Sequence, residues 1–373
     1  MKLRAERNEL NEAVAWATRT VSSRVNLPAL AGLHLEADEG RLTCRATDLE
    51  VSAEVSIPVQ VEAAGSALIL GKLLSQLVPK LPDAPVELEA TAERVSIRCG
   101  RASFDVRAMP ADDFPTLPEA AEDAPRGAIK AEAFGKLVTQ VARAASSEDS
   151  RPVLTGVYLV AKEGALTAVA TDSYRLAVRT IGWDQAVDGA SLVPARALQE
   201  AAKAATEAGG AVTLVLEAGQ VSFVYGDRRL TTRLIEGQFP DYSRLLPDAF
   251  ETSVVVDRAA LADVLQRVSV VSIGQANTPV KCTVSEGTLE LAAGNQEVGA
   301  ATEALPAEVT GEGLEIAFNP TFFLSGLDAV GGEQVRIELR DGLKPAVLKP
   351  HPTADEDAEP DDFTYLLMPM RIN

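Results

Sequence analysis

The chain has 373 residues, 46% of them hydrophobic, enough to bury the cores of two or three domains of ordinary size. No stretch approaches the length of a membrane-spanning helix, and no apolar run follows the charged residues 1–7, so neither a membrane span nor a secretion signal is expected. A net charge of −19 argues against an ordinary nucleic-acid-binding surface, which gains affinity from Lys and Arg.

The first predicted element is an amphipathic helix, read over residues 7–24, with apolar residues at positions i, i+3, i+4 and i+7. An alternating strand opens at Leu33 and reaches a turn at Glu39-Gly40. The next strand contains Leu42 and ends at Ala46-Thr47-Asp48. A second helical segment is predicted from Leu70 to Pro82, followed by further alternating strands.

The same order of elements recurs twice along the chain. Strands open at Leu33, Val157 and Val280, at intervals of 124 and 123 residues. Their turns end in Glu39-Gly40, Glu163-Gly164 and Glu286-Gly287, each followed two residues later by a leucine. The first helices of the later copies are read over 131–151 and 257–272, with Asp257 as an N-cap, and the second helices over 194–207 and 319–330. The fold class is therefore α+β: three tandem copies of one domain, each with two helices and short antiparallel strands.

Two joins divide the copies. Residues 119–127 are acidic and contain Pro125, and a shorter join follows Pro247. The predicted domains are therefore 1–120, 126–247 and 252–373. Residues 350–362 carry six carboxylates and three prolines and are interpreted as a solvated loop.

The excess negative charge lies mainly outside the helical segments. Over the six segments as predicted, 12 residues are basic and 10 are acidic, against 35 and 54 in the whole chain. The helical segments are therefore less acidic than the chain as a whole.

Catalytic machinery is not apparent in the sequence. His34 and His351 have no plausible nucleophile or base beside them, and no Cys or His pair has metal-ligand spacing. Asp48 and Asp172 recur at matching positions, which favours a structural role in a turn but leaves a metal-dependent hydrolase open. We expect no cofactor, no metal and no enzymatic activity. The cysteines Cys44, Cys99 and Cys282 are far apart in strand-like segments, as expected for reduced core residues of a cytoplasmic protein.

Four motifs, in register with the repeat, resemble one family. They are residues 23–30 (SRVNLPAL), 170–177 (ATDSYRLA), 238–247 (QFPDYSRLLP) and 367–371 (LMPMR). In this order and over the whole chain they resemble the bacterial sliding clamp, the beta subunit of DNA polymerase III.

The resemblance implies a non-catalytic ring. Two chains would join head to tail as a homodimer that encircles duplex DNA without sequence specificity and tethers the replicative polymerase, conferring processivity in replication and repair. Six similar domains can close a ring through heterologous contacts, and a topological link needs only weak contacts to phosphate. Partners implied are DNA polymerase subunits, the clamp loader and repair proteins, each bound through a short peptide motif, and no membrane.

Three sets of site residues follow from the resemblance. The DNA-facing residues would be Arg24, Arg151, Arg196, Lys72, Lys80, Arg143 and Lys203, while DNA contact from the third domain is left open. The partner-peptide cleft, between the second and third domains, would be formed by Leu154, Thr171, Ser173, Tyr174, Arg175, Leu176, Pro240, Arg244, Leu245, Leu343, Pro345, Leu366, Met368, Pro369, Met370 and Arg371. The dimer interface would bring Phe104 and Val106 of one chain against Val270 and Val271 of the other, with Lys72 and Lys80 near Glu297 and Glu303.

Two other functions stay open from the sequence. The charge of −19 suits a protein-only interaction scaffold built from repeats. A hydrolase that uses Asp48 or Asp172 would show a metal-dependent activity.

Overall fold

The computed structural model describes most of the chain: residues 1–21, 27–117, 121, 123–183, 188–247, 249–272, 278–295, 299–352 and 362–371, with the backbone alone at 272 and 295. The predicted solvated loop at 350–362 and the first join therefore lie partly outside the described residues.

Each repeat contributes two α-helices, as predicted. They are α1 (Arg7–Ala17), α2 (Gly71–Leu77), α3 (Ala131–Val141), α4 (Ala195–Ala208), α5 (Arg258–Ser269) and α6 (Pro320–Val330).

The first helix of each repeat is shorter than the sequence suggested. The segments read as 7–24, 131–151 and 257–272 end as α-helix at Ala17, Val141 and Ser269, and each is followed by one 3-10 turn. At the first of these ends, the Thr18 hydroxyl donates to the Val14 carbonyl at 2.7 Å, a bond that competes with regular helix continuation.

Twenty-six strands are described. They are β1 (Lys2–Ala5), β2 (Gly32–Asp38), β3 (Arg41–Thr47), β4 (Val51–Pro58), β5 (Gln60–Ala63), β6 (Gly65–Leu70), β7 (Val86–Ala90), β8 (Arg94–Cys99), β9 (Ala102–Arg107), β10 (Arg126–Lys130), β11 (Gly156–Lys162), β12 (Ala165–Thr171), β13 (Arg175–Gly182), β14 (Gly189–Pro194), β15 (Ala211–Leu216), β16 (Gln220–Tyr225), β17 (Arg228–Arg233), β18 (Thr252–Asp257), β19 (Val280–Ser285), β20 (Thr288–Asn295), β21 (Gly299–Pro306), β22 (Glu308–Thr310), β23 (Leu314–Phe318), β24 (Gln334–Leu339), β25 (Ala346–His351) and β26 (Phe363–Leu367). The ladders between these described strands are antiparallel.

The chain forms two compact units. Unit 1 comprises Met1–Ala131 and Ala204–Leu234, and unit 2 comprises Glu132–Lys203 and Ile235–Asn373. Unit 1 contains a five-stranded sheet, β5-β1-β7-β8-β9, and an eight-stranded sheet, β10-β15-β16-β17-β4-β3-β2-β6. Unit 2 contains a nine-stranded sheet, β14-β11-β12-β13-β26-β25-β24-β18-β22, and a four-stranded sheet, β21-β20-β19-β23.

Neighbouring repeats share their largest sheets. The eight-stranded sheet joins the first repeat to the second through the β4–β17 ladder, and the nine-stranded sheet joins the second to the third through the β13–β26 ladder. Each repeat therefore contributes strands to two different sheets. At each predicted join between domains, one sheet contains strands from both neighbouring repeats.

The recurrent Glu-Gly pairs close hairpins. Gly40, Gly164 and Gly287 have φ of 76°, 78° and 72°, a left-handed conformation that glycine adopts without a steric penalty. The repeated turn motif therefore has a conformational origin.

The cores are apolar. The three cysteines are free and buried, as predicted, and burial raises the pKa of the Cys44 and Cys282 thiols to about 12. Within the part of the chain that the structure describes, no helix is long and apolar enough to cross a membrane.

Candidate functional site

A tight turn between β12 and β13 forms one wall of the candidate site in unit 2. The Thr171 hydroxyl donates to the Arg175 carbonyl at 2.7 Å and accepts from the Ser173 amide at 3.1 Å. Asp172 Oδ1 accepts from the Tyr174 and Arg175 amides at 2.9 and 3.0 Å. These bonds hold Ser173 at a φ of 80° and leave Ser173 and Tyr174 exposed.

Arg175 anchors that turn to α6. Its Nε donates to Asp172 Oδ2 at 2.9 Å and one Nη donates to Ser325 Oγ at 2.9 Å. The guanidinium also lies 4.7 Å from the centre of the Phe322 ring, and Tyr174 stacks against the same ring at 6.1 Å. Because only 14% of the Arg175 side chain is exposed, this arginine fixes the position of the turn and offers little surface for a ligand to contact.

The C-terminal segment forms the adjoining wall. Leu176 of β13 lies directly opposite Leu366 of β26. Beyond β26, the Met368 amide donates to the Tyr174 carbonyl at 2.9 Å and the Met370 amide donates to the Ala317 carbonyl at 2.7 Å. The segment that carries both methionines is therefore fixed at two points.

An apolar cluster includes Leu176 and Leu366, which lie on the strands next to these walls. Its buried members are Val169, Leu176, Leu192, Phe239, Val347 and Leu366, and the half-buried members are Val153, Tyr158, Val178, Ile235, Tyr242, Leu246 and Phe250. Tyr158 stacks on Phe239 with ring centres 5.1 Å apart. Most of these residues were absent from the predicted cleft, although Phe239, Tyr242 and Leu246 lie inside the 238–247 motif and could have been found there.

The exposed 241–245 turn borders the cluster. Asp241 Oδ1 accepts from the Ser243 hydroxyl at 2.6 Å, and this bond, with the positive charge of Arg244, lowers the pKa of Asp241. The turn presents Leu245 to solvent.

The predicted cleft residues fall into two groups. One group is exposed: Ser173, Tyr174, Pro240, Arg244, Leu245, Leu343, Met368 and Arg371. The other is buried or half-buried: Leu154, Thr171, Arg175, Leu176, Pro345, Leu366, Pro369 and Met370. The surface is therefore an apolar floor with an aromatic, methionine-bearing and aliphatic rim.

The predicted DNA-facing residues differ in their environments. Arg24 lies outside the described residues. Lys72, Lys80, Arg196 and Lys203 are exposed, and no ion pair to another described residue engages them. Arg151 pairs with Glu148 at 3.1 Å and donates to Ser173 Oγ at 2.9 Å.

Arg143 is more constrained than the sequence suggested. It donates to the Thr139 and Ser325 carbonyls at 3.0 and 3.1 Å, so its guanidinium is already engaged within unit 2. With the shorter helical boundaries, the six α-helices carry seven basic and seven acidic residues. Their balance is therefore neutral, not slightly basic, although they still lack the acidic excess of the whole chain.

The predicted interface residues lie on or beside sheet edges. Phe104 and Val106 are on β9, an edge strand of the five-stranded sheet. Val270 and Val271 begin the 3-10 turn after α5, and Val270 is 57% exposed. Glu303, on the edge strand β21, pairs with Arg267 of its own chain at 2.7 Å, and Glu297 lies outside the described residues.

The recurrent aspartates have structural partners. Asp48 Oδ1 accepts from the Glu50 and Val51 amides at 3.0 and 2.7 Å, as Asp172 does from the equivalent amides. Among the described residues, no three His, Cys, Asp or Glu side chains are placed to hold a metal ion. The structural interpretation of the two aspartates agrees with this geometry.

Comparison with known proteins identifies the family. Three models of the DNA polymerase III beta subunit match in order: the N-terminal domain over residues 1–118, the central domain over 128–241 and the C-terminal domain over 243–371. The beta sliding clamp of Streptomyces coelicolor is 38% identical over 381 residues, which cover 100% of both chains.

Solved structures agree with this assignment. The DNA polymerase sliding clamp from Bacillus subtilis superimposes with a TM-score of 0.93 at 28% identity, and 100% of each chain is covered. A sliding clamp from Pseudomonas aeruginosa bound to griselimycin gives a TM-score of 0.92 at 29% identity, again over 100% of both chains.

The chain belongs to the DNA polymerase III beta-subunit family. Within that family it is a DNA sliding clamp for DNA polymerase III, a non-catalytic processivity factor in DNA replication. The resemblance found in the sequence is confirmed, and so is the fold class of three clamp domains with mixed helix and antiparallel sheet.

Proposed function

We propose that two copies of this chain join head to tail into a ring that encloses duplex DNA. The observation that carries this proposal is the pattern of sheet sharing. Inside the chain, β17 pairs with β4 and β26 pairs with β13, so each junction joins the last strands of one repeat to an early strand of another. By position in the repeat, β9 is equivalent to β17 and β26, and β21 is equivalent to β4 and β13.

The two strands left over by this pattern are β9 and β21. β9 is an edge strand of the five-stranded sheet, and β21 is an edge strand of the four-stranded sheet. Pairing β9 of one chain with β21 of the next would build a nine-stranded sheet like the one inside unit 2. A free edge strand is a template for pairing, and two such heterologous contacts related by a rotation close a ring.

Side chains beside these edges would complete the interface between the two chains, which we call the seam. Phe104 and Val106 on β9 would meet Val270 and Val271, which follow α5. Lys72 and Lys80 would lie near Glu297 and Glu303. Since Glu303 already pairs with Arg267, its contribution to the seam would come through that pair.

DNA contact would be weak and sequence-independent. Lys72, Lys80, Arg196 and Lys203 offer exposed charges without a described ion-pair partner, and they would contact phosphate transiently. Arg24 and Arg151 would contribute at the first and second repeats. Arg143 would contact DNA less, because its Nε and one Nη already donate to backbone carbonyls.

The surface in unit 2 would bind short peptide motifs of DNA polymerase subunits, the clamp loader and repair proteins. Its buried floor is apolar, and Leu343 and Met368, which the resemblance assigns to the cleft, are exposed. Methionine is flexible and polarizable, so a rim that contains it can repack around different peptides.

The domain boundaries 1–120, 126–247 and 252–373 belong to the same proposal, since one ring would contain six such domains. We also propose that the protein acts in the cytoplasm, which the reduced, buried cysteines support.

Loading on circular DNA tests the ring. The protein would be loaded by its clamp loader onto a nicked circle, and its dissociation would be followed before and after the circle is cut. The proposal predicts long retention on the circle and rapid loss from the linear form. Equal rates of loss from both forms would exclude topological binding.

A further inference from the structure

A groove in unit 1 repeats the architecture of the partner cleft. Thr47 and Asp48 hold the turn before β4 with the same bonds that Thr171 and Asp172 make, and Leu49 has a φ of 78° where Ser173 has 80°. An aromatic stack is also repeated. His34 lies on Phe114 with ring centres 5.0 Å apart, as Tyr158 lies on Phe239 at 5.1 Å.

One end of this groove is apolar. Leu27, Leu30, Leu49 and Pro115 line a cavity of about 370 Å³, together with Asp113. Leu27 and Leu49 are 55% and 43% exposed. The bonds of Thr47 and Asp48 hold Leu49 in this left-handed conformation. The turn therefore places a partly exposed aliphatic side chain at this end of the groove.

The other end is polar where the partner cleft is apolar. His34, Arg45, Glu54 and Arg229 lie opposite one another on β2, β3, β4 and β17. The corresponding row in unit 2 is Tyr158, Val169, Val178 and Thr364. In the next row, Ser52 faces Thr231 where Leu176 faces Leu366. These polar residues line a cavity of about 640 Å³.

Of the two arginines in this cavity, only Arg45 has a described ion-pair partner. Arg45 is engaged by two carboxylates, Glu54 at 2.6 Å and Glu36. Arg229 is half-buried, and nothing in the described part of the chain accepts a hydrogen bond from its guanidinium. A guanidinium without a described partner, in the same cavity as the hydroxyls of Ser52 and Thr231, favours a carboxylate ligand.

We propose that the two cavities, which share Pro115, form a second docking groove for a short peptide with one aliphatic side chain and one carboxylate. The aliphatic group occupies the end formed by Leu27, Leu30 and Leu49, and the carboxylate pairs with Arg229. The negative charge of Asp113 at the apolar end disfavours the opposite orientation. The groove and the partner cleft differ in the chemistry of their floors, so they select different peptides.

Fluorescence polarization on the full-length chain tests this assignment. The probes are fluorescein-labelled peptides that contain one Leu and one Glu, separated by one to four glycines, and matched peptides with Lys in place of Glu. We expect at least one Glu peptide to bind with a Kd below about 1 mM. Its affinity should fall about fivefold or more in Arg229→Gln and with the Lys peptide, because the ion pair is lost.

Two further variants separate binding from folding. Leu49→Gly removes the aliphatic side chain while relieving the left-handed strain, so the fold is kept and the affinity should fall. Arg98→Gln, an exposed arginine on another sheet of unit 1, should bind as the wild type does.

Three results would overturn the assignment. The first is that none of the Glu peptides binds at about 1 mM. The second is that Arg229→Gln and Leu49→Gly bind a Glu peptide as tightly as the wild type does. The third is that the Lys peptides bind the wild type as tightly as the Glu peptides do. Met368→Asp alters the partner cleft alone. Loss of Glu-peptide binding in that variant, with retention in Arg229→Gln, would assign the peptide to unit 2 and reject the second groove without bearing on the ring.

Discussion

At the scale of single residues, the carboxylate of Asp172 both closes the turn between β12 and β13 and binds Arg175. Recurrence of Asp48 and Asp172 at matching positions indicated a turn, and each carboxylate accepts two backbone amides two and three residues ahead. The tie from Arg175 to Ser325 could not be foreseen, because 150 residues separate the two and no local pattern encodes the contact.

Replacing Asp172 should affect stability. Asp172→Asn loses the charged partner of Arg175 while keeping one acceptor, so we expect the free energy of unfolding to fall by about 1 to 2 kcal/mol. Urea denaturation measures the change. Asp328→Asn, at an exposed carboxylate of α6, should lie within about 0.5 kcal/mol of the wild type. Equal stability of the wild type and Asp172→Asn would contradict the anchoring role.

His34 should make stability depend on pH. Burial, with the nearby charge of Arg45, lowers the pKa of His34 in the folded chain below its ordinary value of about 6.5. Between these two pKa values the unfolded chain binds more protons, so stability falls as the pH drops through this window and is unaffected by His34 above it.

The substitution His34→Tyr isolates this effect, because the second repeat carries Tyr158 at the equivalent place. Unfolding midpoints at about pH 5 and about pH 7.5 should differ less in the variant than in the wild type. Since Glu36 and Glu54 remain in both proteins, their titration largely cancels in the comparison. Identical differences in the two proteins would show that His34 titrates normally.

At the scale of elements, periodicity located the helices but not their ends. The i, i+3, i+4, i+7 stripe placed α1, α3 and α5 correctly, and Asp257 caps α5 as predicted by accepting from the Ala260 amide at 2.7 Å. The short 3-10 turns that end these helices have no distinctive periodicity. The sharing of sheets between repeats was also not predictable, since strands such as β13 and β26 pair across nearly 190 residues.

A charge placed in the seam should separate the dimer. Val270→Arg would bury an unpaired charge against the β9 edge of the next chain, which is costly without a partner. Sedimentation velocity should therefore show monomers at concentrations where the wild type is a dimer. Thr310→Arg adds the same charge at another exposed position of unit 2 and should stay dimeric. A dimeric Val270→Arg would place the seam elsewhere.

Removing the C-terminal segment should abolish peptide binding and leave the dimer intact. Deletion of residues 368–373 removes the rim methionines and the bonds to Tyr174 and Ala317, while the strands β9 and β21 remain. Calorimetry with a clamp-binding polymerase peptide should show no binding, and sedimentation should still show a dimer. Unchanged affinity would exclude this surface as the cleft.

At the scale of the whole molecule, the net charge of −19 is compatible with a clamp, because a ring retains DNA by enclosing it and not by electrostatic attraction. The six α-helices carry no net charge, so the acidic excess lies on strands, loops and joins. An acidic exterior disfavours binding of DNA to the outside of a ring, while neutral helices oppose its passage through the hole much less. The resemblance in the sequence predicted a join at Phe104 and Val106, and the structure adds that their strand β9 and the strand β21 are both sheet edges.

The mass and projected shape of the particle in solution test the ring most directly. Sedimentation equilibrium combined with electron microscopy should show a particle of twice 39.4 kDa with an open central hole. A particle of 39.4 kDa at every concentration, or a dimer without a hole, would contradict the account.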